Sequence, residues 1–257
     1  MSTPIIELTA SMVKSFKQCP RRYELEYVHN LKPRTPAEYL TTGADYHSKV
    51  EAILKREEWD NAGVTGAMAG AFDEYSGWRE WDLEDVEKEF KVYIGDGVWL
   101  KGKMDAVLKD GTPIEHKTFG GGDWDKYVNH LAWDDQVTLY LLATDARRVI
   151  YTVCKKPTIR QKKDETEDEY WRRCADWYDE DKFRVFNVTR ARGEIEAAGE
   201  DLIVLADVIQ RGVFYRNPQA CSLVACPYES ICLSYRGEIV PVNFERKERS
   251  SEELCRF

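Results

Sequence analysis

The sequence predicts a protein that mixes helices and strands, α/β or α+β, and three observations carry that prediction. Apolar residues recur at helical spacing over 9–29, 37–57, 65–78, 131–145, 167–179 and 190–211. Strand-like runs bounded by turn residues lie between them, at 87–94, 98–108, 112–118, 147–153 and 183–188. At 257 residues the chain is long enough for one large domain with a well-formed core.

The first helix, 9–29, is capped by Thr9 or Ser11 and carries Met12, Phe16, Tyr23 and Tyr27 among its apolar positions. Pro20 lacks an amide hydrogen, which predicts a break near Cys19 that exposes the thiol. Residues 31–36 contain two prolines and read as a linker. The next helix carries Gly43, His47 and Glu51, the last two at i and i+4 on one face. Gly95-Asp96-Gly97 divides two strands, and Asp110-Gly111 turns the following pair as a hairpin. Gly120-Gly121-Gly122-Asp123 reads as a flexible loop and a gate over substrate. The helix over 190–211 sets Ile195, Leu202, Ile203 and Leu205 on its inner side. The charged tail from Phe244 reads as poorly packed.

Charged residues make up 32% and hydrophobic ones 43%, an ordinary balance for a globular protein. No apolar run approaches the roughly 18 residues of a membrane span. The start, Met-Ser-Thr-Pro-Ile-Ile-Glu, lacks the basic and apolar regions of a secretory signal, so a cytoplasmic location is expected. Seven cysteines in such a compartment favour a metal-binding set over disulfides. Cys154, Cys174 and Cys255 lie apart from that set and read as ordinary thiols. The net charge of −9 does not exclude nucleic acid, because contacts can be confined to one face. Lys155, Lys156 and Arg160, with Arg190 and Arg192, are the candidate DNA contacts. A solvated charged loop is the alternative for the first group.

The chemistry-bearing pattern is Asp105 followed by Glu115-His116-Lys117 across the hairpin. Two carboxylates brought together can hold Mg²⁺ or Mn²⁺ against a phosphate, and the lysine supplies positive charge where negative charge accumulates. Alone, the same residues on a hairpin are also compatible with solvated surface charges. The full set is Gly43-x3-His47, Gly102-x2-Asp105, Glu115-x-Lys117 and Gln136-x3-Tyr140, in this order. In this the chain resembles the RecB-like branch of the PD-(D/E)XK nuclease superfamily, although Met104 stands where the superfamily name has proline.

The resemblance implies an α/β restriction-endonuclease-like core, with a mixed central sheet flanked by helices. It implies a metal site of His47, Asp105, Glu115 and the backbone carbonyl of His116, with Glu51 as a further candidate. Asp105, Glu115, Lys117, Gln136 and Tyr140 are the implied catalytic residues. Cys19 before this core and Cys221, Cys226 and Cys232 after it resemble the iron–sulfur branch, which implies a [4Fe–4S] cluster joining the two ends of the chain. Four residues separate Cys221 from Cys226, where the family usually has two. Zn²⁺ is the alternative occupant of four thiolates.

The expected organisation is thus a single nuclease domain over 1–257, its core at 37–190 and its cluster-binding ends at 11–30 and 215–235. The expected activity is exonucleolytic hydrolysis of DNA, single-stranded or with ends, in phage or mobile-element recombination or repair. A recombination partner protein is compatible with that role, and the oligomeric state is left open. The alternatives are a non-catalytic nucleic-acid-binding module and a zinc-stabilised structure-specific endonuclease.

Overall fold

The computed structural model describes residues 5–35, 38–223 and 226–247. Strand β1 (Ile6–Leu8) is followed by α1 (Ala10–Gln18), α2 (Pro20–Tyr23) and a π-helical turn (Glu24–Val28). Then come β2 (Leu31–Pro33), α3 (Glu38–Lys55), α4 (Gly63–Tyr75), β3 (Leu83–Gly95), β4 (Val98–Leu108) and β5 (Pro113–Phe119). The remainder is α5 (Trp124–Leu131), α6 (Asp135–Ala143), β6 (Val149–Lys155), α7 (Glu167–Ala175), β7 (Phe183–Val188), α8 (Arg192–Gln210), α9 (Pro218–Leu223) and β8 (Phe244–Arg246). The main sheet has the order β1-β4-β5-β6-β7, with β3 also paired to β4. β5 runs antiparallel to β4 and parallel to β6, while β7 is antiparallel to β6. This is the mixed sheet that the resemblance implies.

The chain divides into two compact units, one of residues 37–90 and 103–191, the other of the described parts of 1–36, 91–102 and 192–257. In the first, β6 is buried at six consecutive positions, Val149 to Cys154: β5 and β7 pair with its edges, and helices α4 and α6 pack against it. Phe72 of α4 is wholly buried and meets His116, Phe183 and Trp81 edge-on, with ring centroids 5.0, 6.1 and 6.2 Å away. Phe72→Ala should therefore destabilise the protein by about 3–5 kcal/mol. A denaturant midpoint shifted by less than about 1 kcal/mol would mean that neighbours refill the site.

The helix expected over 131–145 is α6, Asp135–Ala143, and it is preceded by a short helix that was not expected, α5. Each has its own aspartate cap: the Asp123 carboxylate accepts from the Asp125 amide at 3.0 Å, and that of Asp134 from the Gln136 amide at 2.9 Å. Thr166 and Glu169 cap α7 reciprocally, with bonds of 3.3 and 2.9 Å.

In the second unit, the Thr9 hydroxyl caps α1 by accepting from the Met12 amide at 3.2 Å. The expected break falls at Cys19, whose backbone is extended at φ −162° and ψ 109°. The thiol is buried, however, not exposed. Two further expectations are overturned. Residues 31–33 are not linker but strand β2, paired antiparallel with β8, so Phe244 is not part of a loose tail. Leu31 and Phe244 are buried beside Leu25, Tyr228, Ile231 and Tyr235, and the Tyr228 hydroxyl donates to the Leu31 carbonyl at 2.8 Å. Of the charges that marked the tail, Glu245 is paired, with Lys32 at 3.0 Å and Arg34 at 3.5 Å. No local pattern announces a pairing across about 200 residues. Cys255 lies outside the described residues. Among the described residues no helix is long and apolar enough to cross a membrane.

Candidate active site

The pair Ala106 and Ile114 sets the β4–β5 register, and one step further along it Asp105 stands opposite Glu115. Opposed residues of an antiparallel pair share a face, so the hairpin brings both carboxylates to one side of the sheet. The turn is fixed by Asp110, whose carboxylate accepts from the Thr112 amide at 2.9 Å, and by Gly111 at φ +82°, a left-handed value that suits glycine. Asp105 Oδ2 accepts from the His116 amide at 2.7 Å, and Oδ1 lies 3.2 Å from Nδ1 of His47 on α3.

Glu115, Lys117, Gln136 and Tyr140 close into a ring. The Lys117 ammonium donates to Glu115 Oε1 and, at 2.8 Å, to Gln136 Oε1. Gln136 Nε2 donates to the Tyr140 hydroxyl at 2.8 Å. That hydroxyl faces Glu115 Oε2 at 2.8 Å and the Lys103 carbonyl at 3.0 Å. Tyr140 meets Glu115 and Gln136 meets Lys117 because the two lie one turn apart on α6, whose start is fixed by the Asp134 cap. Asp134 was not among the residues singled out from sequence, although an Asp two residues before the glutamine of the motif is a readable capping signal.

Burial raises the proton affinity of Glu115; the Lys117 charge opposes this and the Asp105 charge adds to it, leaving Glu115 above the usual carboxylate range. Burial also acts upward on Asp105, but its hydrogen bond to His47 and the neighbouring imidazoles outweigh it and hold the group at about 2. For Lys117, burial favours the neutral amine, yet Glu115 and Asp105 overcome it and keep the ammonium above the ordinary lysine range. Lys117 is therefore a cation at neutral pH and not a base. The His47 ring is likewise held above its ordinary value, since the Asp105 hydrogen bond and the charges of Asp105 and Glu115 outweigh burial. His116 points the other way: burial pushes its ring down to about 4, and Nδ1 lies 2.6 Å from the Thr152 hydroxyl.

The model of the PD-(D/E)XK nuclease superfamily matches residues 61–233, about two thirds of the chain. The chain belongs to the PD-(D/E)XK nuclease superfamily. A candidate exonuclease from Eubacterium rectale shares its fold at a TM-score of 0.53 and 12% identity, over 92% of this chain and 90% of that one. Two more solved structures align less closely. The SSO0001 protein gives 0.47 at 19% identity over 89% and 86% of the two chains. The alkaline exonuclease of Laribacter hongkongensis gives 0.30 at 12% over 85% and 95%. No curated protein matches by sequence.

The remaining candidate residues of this nuclease separate into two groups. Glu51 pairs with Lys55 on α3, and so is engaged along its own helix. Arg190 donates to the Leu131 carbonyl at 2.6 Å, to the Asp134 carbonyl at 3.3 Å and to the Thr138 hydroxyl at 3.1 Å, which makes it a clamp on the α5–α6 turn. Arg192 pairs with Glu196 at 2.8 Å. Lys155 ends β6 beside the end of β5, with its ammonium 4.5 Å from the centre of the Trp124 ring; the next amide, of Lys156, donates to the Phe119 carbonyl at 2.7 Å. Arg160 is exposed.

Cys19, Cys221, Cys226 and Cys232 line one cavity of about 300 Å³, together with Arg22, Leu25, Arg216 and Tyr228. Cys221 lies on α9, within what the sequence presented as a loop. Burial raises the Cys226 and Cys232 thiols above the ordinary value, with the Cys19 and Cys221 sulfurs adding to it. Sequence reading missed two supports of this cavity. The Asn217 amide donates to Cys19 Sγ at 3.4 Å. Arg21 donates to the Cys232 carbonyl at 3.3 Å and to that of Tyr235 at 2.6 Å.

Proposed function

We propose that this chain is a metal-dependent DNA exonuclease of the RecB-like iron–sulfur type, acting on DNA ends in phage or mobile-element recombination or repair. The observation that carries the catalytic reading is the closed ring of Glu115, Lys117, Gln136 and Tyr140 beside Asp105. A surface hairpin with solvated charges would not bury a carboxylate and fix each of its oxygens with a separate side chain.

Asp105 and Glu115 present hard oxygen donors, and His47 an imidazole, a set that suits Mg²⁺ or Mn²⁺ in chemistry. A buried carboxylate beside a half-buried one also makes a location that favours a cation, as the raised proton affinity of Glu115 reflects. Among the described residues no three His, Cys, Asp or Glu side chains close around a single point, because His47 and Lys117 rest on the carboxylates themselves. With the His116 carbonyl, these three side chains are the proposed ligands. When bound, the cation would polarise the phosphate and acidify a water. The chain's own contribution is electrostatic and positional. Lys117 holds a permanent positive charge where the phosphate gains negative charge, Gln136 aims that ammonium, and Tyr140 fixes the second Glu115 oxygen.

The four cysteines line one cavity of about 300 Å³, which has room for a multi-atom cofactor. Four thiolates would also hold tetrahedral zinc. A [4Fe–4S] cluster on Cys19, Cys221, Cys226 and Cys232 is the occupant that we propose.

DNA reaches the site past Lys155, Lys156 and Arg160 in this reading. Losing the two lysine charges should lower the salt dependence of single-strand binding, with the slope of log K against log salt falling by about 1.4. Lys156→Ala is the cleaner half of the test, because Lys155 also lies over Trp124. An unchanged slope would remove both residues from the DNA path.

The experiment that tests the function is cleavage of end-labelled linear single- and double-stranded DNA against a closed circle, in Mn²⁺ and then Mg²⁺. Loss of label from linear DNA alone establishes an end-dependent enzyme. Cutting of circles makes it an endonuclease, and folded, iron-loaded protein that cuts nothing returns the reading to a binding module.

A further inference from the structure

Trp133 is 85% exposed, and it is the only exposed tryptophan among the described residues. Packing does not account for it, because among the described residues its indole has no ring partner and no hydrogen bond. The backbone beneath it is nevertheless firmly held. The Trp133 amide donates to the His130 carbonyl at 3.0 Å and the Asp134 amide to that of Leu131 at 3.3 Å. From the other side Arg190 grips both the Leu131 and Asp134 carbonyls. The Asp134 carboxylate caps α6 at the Gln136 amide. Two residues stand between Trp133 and Gln136, so their Cα atoms are at most about 11 Å apart. A large aromatic face is thus offered to solvent on a braced turn next to the ring that surrounds Glu115.

We propose that Trp133 is the base-stacking residue of this site, taking the open face of an unpaired nucleobase near the scissile phosphate. The proposal rests on the DNA-nuclease reading above and adds to it the residue that selects the form of the substrate. Inside a duplex both faces of each base are covered by its neighbours, so only a single strand or a frayed end offers a partner for the indole. Stacking of this type tolerates any base, as an exonuclease requires. Asp134 and Asp135 beside the tryptophan disfavour a phosphate at this point, which leaves the neutral base as the group that it suits.

The test is binding by full-length protein carrying Lys117→Ala, which prevents turnover, with and without Trp133→Ala or Trp133→Phe. The probes are a single-stranded oligonucleotide, the same strand with abasic sugars, and a duplex closed by hairpins at both ends. Trp133→Ala should weaken single-strand binding by about 5- to 100-fold, Trp133→Phe should retain most of it, and the abasic and closed-duplex affinities should not move. Unchanged single-strand affinity in Trp133→Ala overturns the proposal, as does an equal loss on all three probes, which would mean that the tryptophan acts through the fold. If the parent binds none of the probes, the DNA reading itself falls and this inference with it.

Discussion

Lys117→Ala should lose cleavage by at least about 10²- to 10³-fold, the scale seen when one preorganised partner for developing charge is removed. The ammonium is held above its ordinary pKa by Glu115 and Asp105, so it acts as a fixed cation and its loss is not rescued by raising the pH. The variant also leaves the Glu115 carboxylate buried without its counter-charge, at a position already raised by burial. The folded protein then binds a proton at Glu115 more tightly than the unfolded chain does. Stability should accordingly fall as pH rises through the carboxylate range and then level off, so the cost of the mutation is smaller near pH 5 than near pH 8. Adding Glu115→Gln removes the stranded charge: the double variant should regain stability and stay inactive. Thermal melts at both pH values together with single-turnover cleavage separate the two effects. Cleavage within threefold of the parent would end the assignment of Lys117.

The second large effect is at Cys19. In the proposed cluster Cys19 is the one ligand before residue 200, and it is joined to Cys232 across about 200 residues. Cys19→Ser would open the loop that such a cofactor closes, worth about 5 kcal/mol by the chain-entropy relation for a cross-link of that length. Loss of iron, sulfide and brown colour, with a melting temperature lowered by roughly 10 °C or more, is the expected result. Cys221→Ser breaks a short loop only and should cost less. Stoichiometric zinc in a colourless parent protein would refute the cluster. A parent with neither metal, and melting unchanged by either serine, would make these residues ordinary thiols around a cavity.

The hairpin and its carboxylates were legible because the information is local. Alternating apolar residues, an Asp-Gly turn and the count between Asp105 and Glu115 set the register, and in an antiparallel pair the register alone decides which side chains face one another. The ordered motifs extended that to Gln136 and Tyr140, since helical spacing puts residues one turn apart on a common face. The same reading missed α5, and it failed where partners are distant, at Leu31–Pro33 with Phe244–Arg246. It also gave a residue type without its employment. Arg190 and Lys155 look alike as basic residues in a sequence; one clamps a turn through three hydrogen bonds and the other lies over an indole ring.

What the sequence by itself determined, then, is the chemistry of the site: two carboxylates, a lysine, a glutamine and a tyrosine at spacings that local hydrogen bonding converts into a shared face. The charge state of that site was decided only by the tertiary structure, because burial is the largest influence on Asp105, Glu115 and Lys117 and is not a property of the β4–β5 hairpin alone, while α3 and α6 add the His47 and Tyr140 hydrogen bonds. The convergence of Cys19 with Cys221, Cys226 and Cys232 on one cavity, and the bracing of Trp133 by Arg190, were settled in the same way. Contacts between residues far apart along the chain leave no period in it.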